Sequence, residues 1–115
     1  MQRFEELEVW VKARKLTQEM YEITKTKEFE RDKDLVSQIR RASVSIMANI
    51  AEGKERGSEK EFRQFLFTAK GSAGEVRALL YVAVDQNYIE EYLFDKLIDQ
   101  TAEVSRMISG LIKKL

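Results

Sequence analysis

Apolar side chains recur along the chain in alternating steps of three and four residues, within four stretches separated by polar or charged residues. These stretches cover residues 9–23, 35–53, 62–83 and 94–115. The spacing keeps side chains on one face of an α-helix, whereas a strand would need steps of two. The chain also contains no proline and is rich in residues that favour helix. The pattern therefore predicts an all-α protein with four long amphipathic helices.

The connections between the predicted helices are short. They fall at residues 26–31, at the charged turn 54–56 and at the turn 87–88. Short connections make successive helices antiparallel neighbours. Because no repeat or low-complexity stretch interrupts the pattern, we expect residues 1–115 to form a single domain. That domain is an antiparallel, up-down-up-down four-helix bundle.

Polar residues mark two of the helix starts. Asp32 or Asp34 can cap the second helix, its carboxylate accepting a hydrogen bond from an unpaired backbone N–H. Ser58 and Glu61 have the spacing of a capping box. In that motif the hydroxyl accepts from the backbone N–H three residues on, and the carboxylate reaches back to the first residue's N–H.

The third predicted helix is apolar nearly all round. Phe67, Gly71, Gly74 and Ala78 lie opposite its core line. A helix of this kind is usually buried on every side, but three neighbours in a small bundle cannot surround it. We therefore expect these four residues to form an interface with another copy of the same chain.

Composition removes most catalytic chemistry. The chain has 20 Lys and Arg residues against 20 Asp and Glu, with no histidine and no cysteine. It can form no Ser-His-Asp triad, cysteine nucleophile, zinc site of the usual kinds or Glu-x-x-His di-iron pair. We therefore expect a protein that is not an enzyme and holds no metal or cofactor. The charged amino terminus and the lack of a long apolar run predict a cytoplasmic protein that binds no membrane.

A polar flank runs beside the apolar line of the second helix and faces a similar flank of the third. Its candidate residues are Arg41, Asn49, Glu52 and Glu75. In one interpretation they form a buried polar seam that fixes the register of the two helices, with Arg41 paired to Glu75 or Glu52 and Asn49 bonded nearby. In the other, Glu52 and Glu75 are a carboxylate pair that performs acid–base chemistry or binds a metal.

Basic side chains form a ridge on the third helix and two clusters on the second. The candidates for nucleic-acid binding are Arg63, Lys70, Arg77, Arg40, Lys54 and Arg56. A solvated helix face is one interpretation, because the total charge is balanced. In the other, rotational symmetry repeats the ridge around a ring and creates a basic rim for RNA or DNA.

Several motifs resemble those of a known bacterial family of four-helix bundles. They are FEELEVW at 4–10, QIRRA at 38–42, SI at 45–46 with NIAEG at 49–53, and AKGSAGE at 69–75. In their order they resemble proteins often encoded in intervening sequences of 23S ribosomal RNA genes. Glu30 and Met47 stand where that family usually or often has proline.

The resemblance implies a homopentameric, barrel-like ring and no enzymatic activity. It also implies distant similarity to the accessory protein of diversity-generating retroelements, which binds a reverse transcriptase and nucleic acid. Arg41, Asn49, Glu52 and Glu75 correspond to the family's signature polar residues, to which no agreed role is attached. We therefore expect a homo-oligomeric interaction scaffold. The alternative is a nucleic-acid-binding accessory protein with a protein partner such as a reverse transcriptase.

Overall fold

Helices account for nearly all of residues 2–115, the part of the chain that the computed structural model describes. A short 3-10 turn, Phe4–Glu6, precedes five α-helices in this part, and no strand occurs there. The helices are α1 (Glu8–Ile23), α2 (Lys27–Arg31), α3 (Lys33–Glu55), α4 (Glu59–Asp85) and α5 (Glu91–Lys114). The all-α class is confirmed, and the four predicted helices are α1, α3, α4 and α5.

The four long helices pack around one core. Helix α3 contacts α1 and α4, and α5 contacts α4 and α1. The closest packing joins α3 to α4, whereas α1 and α5 touch least. Most residues of the predicted core lines are buried in all four helices. Asn49, Phe94, Leu111 and Leu115 are only half-buried, and Ile112 is buried at the end of α5. The largest fully buried side chains include Leu16, Met20, Ile39, Ile46, Ile50, Leu66, Leu80, Leu97 and Ile108. None of the helices in residues 2–115 combines the length and the apolar character of a membrane-spanning segment.

Helix α2 corrects the prediction that residues 26–31 are only a connection. Its single apolar residue, Phe29, is fully buried and stacks on Tyr88, with ring centroids 5.0 Å apart. Burial of this one ring holds a helical turn that is too short to show any periodicity in the sequence.

The predicted helix starts are partly confirmed. Asp32, and not Asp34, caps α3, because its Oδ1 accepts from the Leu35 N–H at 3.1 Å. The Ser58 hydroxyl oxygen accepts from the Glu61 N–H at 3.1 Å. The Glu61 carboxylate, however, accepts from that same hydroxyl at 3.2 Å and not from the backbone. In place of the expected bond from the Ser58 backbone N–H, the Glu61 carboxylate therefore receives a bond from the Ser58 hydroxyl.

A glycine sets the distance between α3 and α4. A Cβ atom built on Gly53 would lie 2.6 Å from the Cβ of Phe65 and 3.1 Å from Cδ1 of Phe62. Real Cβ atoms do not approach so closely, so only glycine fits at this crossing. Beyond it the chain turns at Gly57, whose φ of 85° is a conformation that glycine adopts readily.

Candidate interaction surfaces

The outer face of α4 is apolar and uncovered. We call it the α4 stripe: Phe67, Gly71, Gly74, Ala78 and Tyr81. Phe67 is 51% exposed and Tyr81 56% exposed, which is unusual for side chains of this size on one helix face. Gly71 and Ala78 are exposed and Gly74 is half-buried. The stripe therefore lies opposite the core line of α4, as the sequence predicts.

The two glycines of the stripe have no packing role within the chain. A Cβ atom built on Gly71 or Gly74 would meet nothing within 4 Å, in contrast to Gly53. A glycine inside a helix destabilises it by about 1 kcal/mol relative to alanine. No contact inside the chain therefore requires glycine at these two positions.

Neighbouring side chains hold the two large rings of the stripe in place. Arg63 lies over the Phe67 ring, 5.5 Å from its centroid, and donates from Nη1 to the carbonyl of Ile112 at 2.7 Å. Tyr81 packs edge-on against Phe94 of α5, with centroids 4.9 Å apart. These contacts to α5 preorganise the two rings, so that less side-chain entropy would be lost if a second molecule bound there.

The polar seam between α3 and α4 is made of hydroxyls and an amide. The hydroxyl oxygens of Ser45 and Ser72 lie 2.8 Å apart across the two helices. Asn49 donates from Nδ2 to the backbone carbonyl of Ser45 at 2.8 Å and to its Oγ at 3.0 Å. Of the four candidate seam residues only Asn49 takes part in these bonds. Ser45 and Ser72 belong to the polar flanks of the two helices, whose polar groups were expected to pair across the seam.

The ion pair expected for Arg41 is not formed within the described residues. Arg41 and Glu75 are both exposed and line one groove of about 480 Å³ between α3 and α4. Glu52 instead accepts from Arg56 at 2.9 Å, one helical turn away. The prediction of this pair is wrong for the single chain, because both side chains are exposed to solvent, where pairing gains little.

The structure also separates the two carboxylates of the alternative interpretation. Glu52 is adjacent to Gly53, which faces Phe65, whereas Glu75 lies near the opposite end of the seam beside Arg41. Along antiparallel helices this offset corresponds to about 15 Å. The described residues contain no group of three or more Asp, Glu, His or Cys side chains that could hold a metal ion.

Most of the predicted basic residues are engaged in contacts inside the chain. Arg40 lies 4.5 Å from the centroid of the Tyr21 ring and donates from Nε to Thr24 at 2.9 Å. Lys54 lies over Phe62, at 5.6 Å. Arg56 bonds Glu52 and Arg63 bonds the carbonyl of Ile112, as described above.

Lys70 and Arg77 differ from the other basic candidates. Both are exposed, and neither has an ion pair or side-chain hydrogen bond in the part of the chain described. The predicted ridge of three charges is therefore two free charges plus Arg63, which already bonds a backbone carbonyl.

A second uncovered surface lies along α3, on the side of that helix next to α1 and α2. We call it the α3 groove, a concavity of about 880 Å³ between α3 and the wall formed by α1 and α2. Tyr21 and Glu30 line that wall. Helix α3 contributes Lys33, Val36, Ser37, Arg40, Arg41, Val44 and Ser45. The hydrophobic pattern of the sequence did not predict this surface. Its one signal is a second apolar row, Val36 and Val44, two turns apart beside the core line.

Comparisons with known proteins agree with this architecture. A crystal structure from Bacteroides thetaiotaomicron, described as a protein with unknown function from the S23 ribosomal protein family, superposes with a TM-score of 0.83. The two chains are 22% identical, and the alignment covers 91% of this chain and 98% of the other, so the two share a fold. No curated protein sequence matches the chain.

The family described as "23S rRNA-intervening sequence protein" matches residues 5–110. This match confirms the resemblance that the motifs at 4–10, 38–42, 49–53 and 69–75 indicate. Because it spans nearly the whole sequence, the chain belongs to the family of 23S rRNA-intervening sequence proteins.

Proposed function

We propose that this protein is a homo-oligomeric interaction scaffold that catalyses no reaction, and that its copies associate through the α4 stripe. The observation that carries this proposal is that two large rings, Phe67 and Tyr81, are exposed on one face of α4, with the helical glycines Gly71 and Gly74 and open space between them. Two such glycines weaken the isolated helix by about 1 kcal/mol each. They are useful where a second backbone approaches closely.

The large side chains around the glycines support the same conclusion. Phe67 and Tyr81 are each more than half exposed, and covering such rings in an interface stabilises association through loss of apolar surface from water. The ring of five copies that the family resemblance implies is compatible with this proposal, because a closed ring leaves no copy with an unpaired interface.

Light scattering of the purified protein tests the proposal. We expect a mass of several chains at micromolar concentration, and a lower mass for Gly74→Arg, whose side chain would occupy the interface. Gly110→Arg is the matched control, since Gly110 is a helical glycine of α5, outside the stripe, that likewise has nothing within 4 Å of a built Cβ. A monomeric wild type, or equal loss of mass in both variants, contradicts the proposal.

A nucleic-acid-binding accessory function is the second candidate. Lys70 and Arg77 favour it, because both are exposed and free of ion pairs among the described residues. They lie two helical turns apart beside the stripe, so assembly would bring several such pairs together. Its signature is binding of RNA or DNA that weakens steeply with salt and depends little on sequence. The reverse transcriptase that the resemblance implies would then be a protein partner.

A further inference from the structure

We propose that the α3 groove binds an amphipathic helix of a different protein, one whose apolar side chains are flanked by aspartate or glutamate. This inference rests on the proposed function, because it names the kind of partner that the scaffold holds. The stripe that joins the copies lies on α4, whereas the groove lies between α3 and the wall of α1 and α2. Each copy therefore offers one such site.

The α3 side of the groove has the shape that a second helix packs against. Two rows of side chains run along it at steps of four residues, and both line the groove. The first row is Val36, Arg40 and Val44, and the second is Lys33, Ser37, Arg41 and Ser45. Rows at this spacing form ridges, and the furrow between two ridges accepts a ridge of side chains from another helix. The rows extend over roughly 18 Å, which is about three turns of a partner helix.

The first row supplies the apolar contact. Val36 and Val44 lie two turns apart, roughly 12 Å along α3, and Val44 is 40% exposed. Arg40 between them turns to the wall, where it lies over the Tyr21 ring and donates to Thr24. The row therefore presents two valines to a partner. A partner helix covers both when its own apolar side chains recur after roughly seven or eight residues.

The second row supplies positive charge. Lys33 and Arg41 are exposed, and neither forms an ion pair within residues 2–115. Among the described residues that line the groove, Glu30 is the one acidic side chain, against three basic ones. Arg41 also borders the smaller groove toward α4, where Asp34 and Glu75 lie, but it pairs with neither. Carboxylates on the partner helix would reach both free cations, whereas a basic helix would be repelled.

Nucleic acid fits the groove less well than an acidic helix does. Of the described residues that line it, only Tyr21 is aromatic. Arg40 already lies over that ring, 4.5 Å from its centroid, so a stacking base would have to compete with this contact. Phosphates would use the two free charges but gain nothing from the valines. An acidic amphipathic helix uses both rows.

Selection of random peptides tests which ligand the groove prefers. Phage displaying random peptides of about 14 residues, or four turns of helix, are panned on the purified wild type and counter-selected on Val44→Asp. That substitution places a carboxylate on the apolar row, at a position too exposed to disturb the core. We expect the enriched peptides to be acidic, with apolar residues roughly seven or eight positions apart. Enriched peptides without these features, or no enrichment, overturn the proposal.

Charge reversal on both sides of the contact gives a sharper test. Fluorescence polarisation measures binding of one enriched, labelled peptide to Lys33→Glu with Arg41→Glu, and we expect its affinity to fall by about tenfold or more. The same peptide with lysine in place of each acidic residue should bind this variant better than it binds the wild type. Lys96→Glu with Arg106→Glu is the matched control, since both residues are exposed on α5 and outside the groove. Equal loss in both double variants would assign the binding to general charge and contradict a site in the groove.

Light scattering separates this inference from the proposed function. If the wild type is monomeric and the selected peptide binds at the groove, the oligomeric scaffold fails and the site remains. If the wild type assembles and no acidic peptide is enriched, the inference fails alone. If Val44→Asp lowers the mass of the assembled protein in the absence of peptide, a second copy occupies the groove and the inference is overturned. Circular dichroism checks that every variant remains helical.

Discussion

Asp32 connects three parts of the chain with one carboxylate. Its Oδ1 accepts from the Leu35 N–H and starts α3, while its Oδ2 accepts from the Tyr88 hydroxyl at 3.0 Å. The Tyr88 ring in turn covers the buried Phe29. The sequence predicted the cap, because that contact is local. It could not predict the bond to Tyr88, which joins residues 56 positions apart and exists only once α4 has returned alongside α3.

The Tyr88 hydroxyl gives a prediction that depends on pH. Its hydrogen bond to Asp32, followed by burial, raises the pKa of Tyr88 above its ordinary value of 10.0. A pKa that folding raises stabilises the folded state below the unfolded pKa, and that stabilisation is lost as pH rises through the folded pKa. Tyr88→Phe should lower the melting temperature at pH 7.

The difference in melting temperature between wild type and Tyr88→Phe should shrink above about pH 10. Tyr92→Phe is the control, since Tyr92 is 71% exposed and should show no difference at any pH. Thermal melts of the three proteins between pH 7 and pH 11 give the comparison. If the difference in melting temperature for Tyr88→Phe stays constant over this range, deprotonation of the Tyr88 hydroxyl does not remove a stabilising bond to Asp32, and the prediction is wrong.

At the scale of elements, long helices follow from periodicity and short ones do not. Residues 33–55 and 59–85 each contain six or more turns of apolar spacing, so their identity as helices was predictable. Helix α2 has five residues and one apolar side chain, which is too little to define a period. The sequence placed Gly53 on a predicted core line and Gly71 opposite one. It could not show how closely Phe65 approaches Gly53, because that distance depends on how α3 and α4 pack.

The close approach at Gly53 predicts opposite effects of the same substitution at two sites. Gly53→Ala should lower the free energy of unfolding by about 1–3 kcal/mol, because its Cβ would push α3 away from Phe65. Gly110→Ala should raise it by about 0.5–1 kcal/mol, since Gly110 lies in a helix with open space around it. Urea denaturation followed by circular dichroism measures both. A neutral Gly53→Ala would show that the two helices move apart at little cost.

At the scale of the whole molecule, the uncovered face of α4 was predictable from the sequence. Which basic side chains near it remain free to bind a partner was not. A helix that is apolar on every side must expose part of its surface in a small bundle, which follows from the pattern alone. Which arginines remain available does not, because Arg63 is bound to the end of α5 and Arg40 is stacked on Tyr21. Those contacts depend on how distant helices pack.

The last prediction concerns nucleic acid and uses the charges that the fold leaves free. Lys70→Ala with Arg77→Ala removes two exposed charges and retains Arg63, whose bond to Ile112 supports α5. If the assembled protein binds duplex DNA or structured RNA through phosphates, this double variant should bind more weakly at low salt. For duplex DNA the slope of log affinity against log salt should become shallower by about 0.9 for each phosphate that the variant no longer neutralises.

Lys96→Ala with Lys113→Ala is the control of equal charge, since both residues are exposed on α5. Electrophoretic mobility shifts at two salt concentrations measure all three proteins, with light scattering to verify that each remains assembled. If both double variants weaken nucleic-acid binding equally, the nucleic acid is attracted by the total positive charge of the protein and not by Lys70 and Arg77 in particular. No binding at low salt would exclude the nucleic-acid function and leave the scaffold proposal in place.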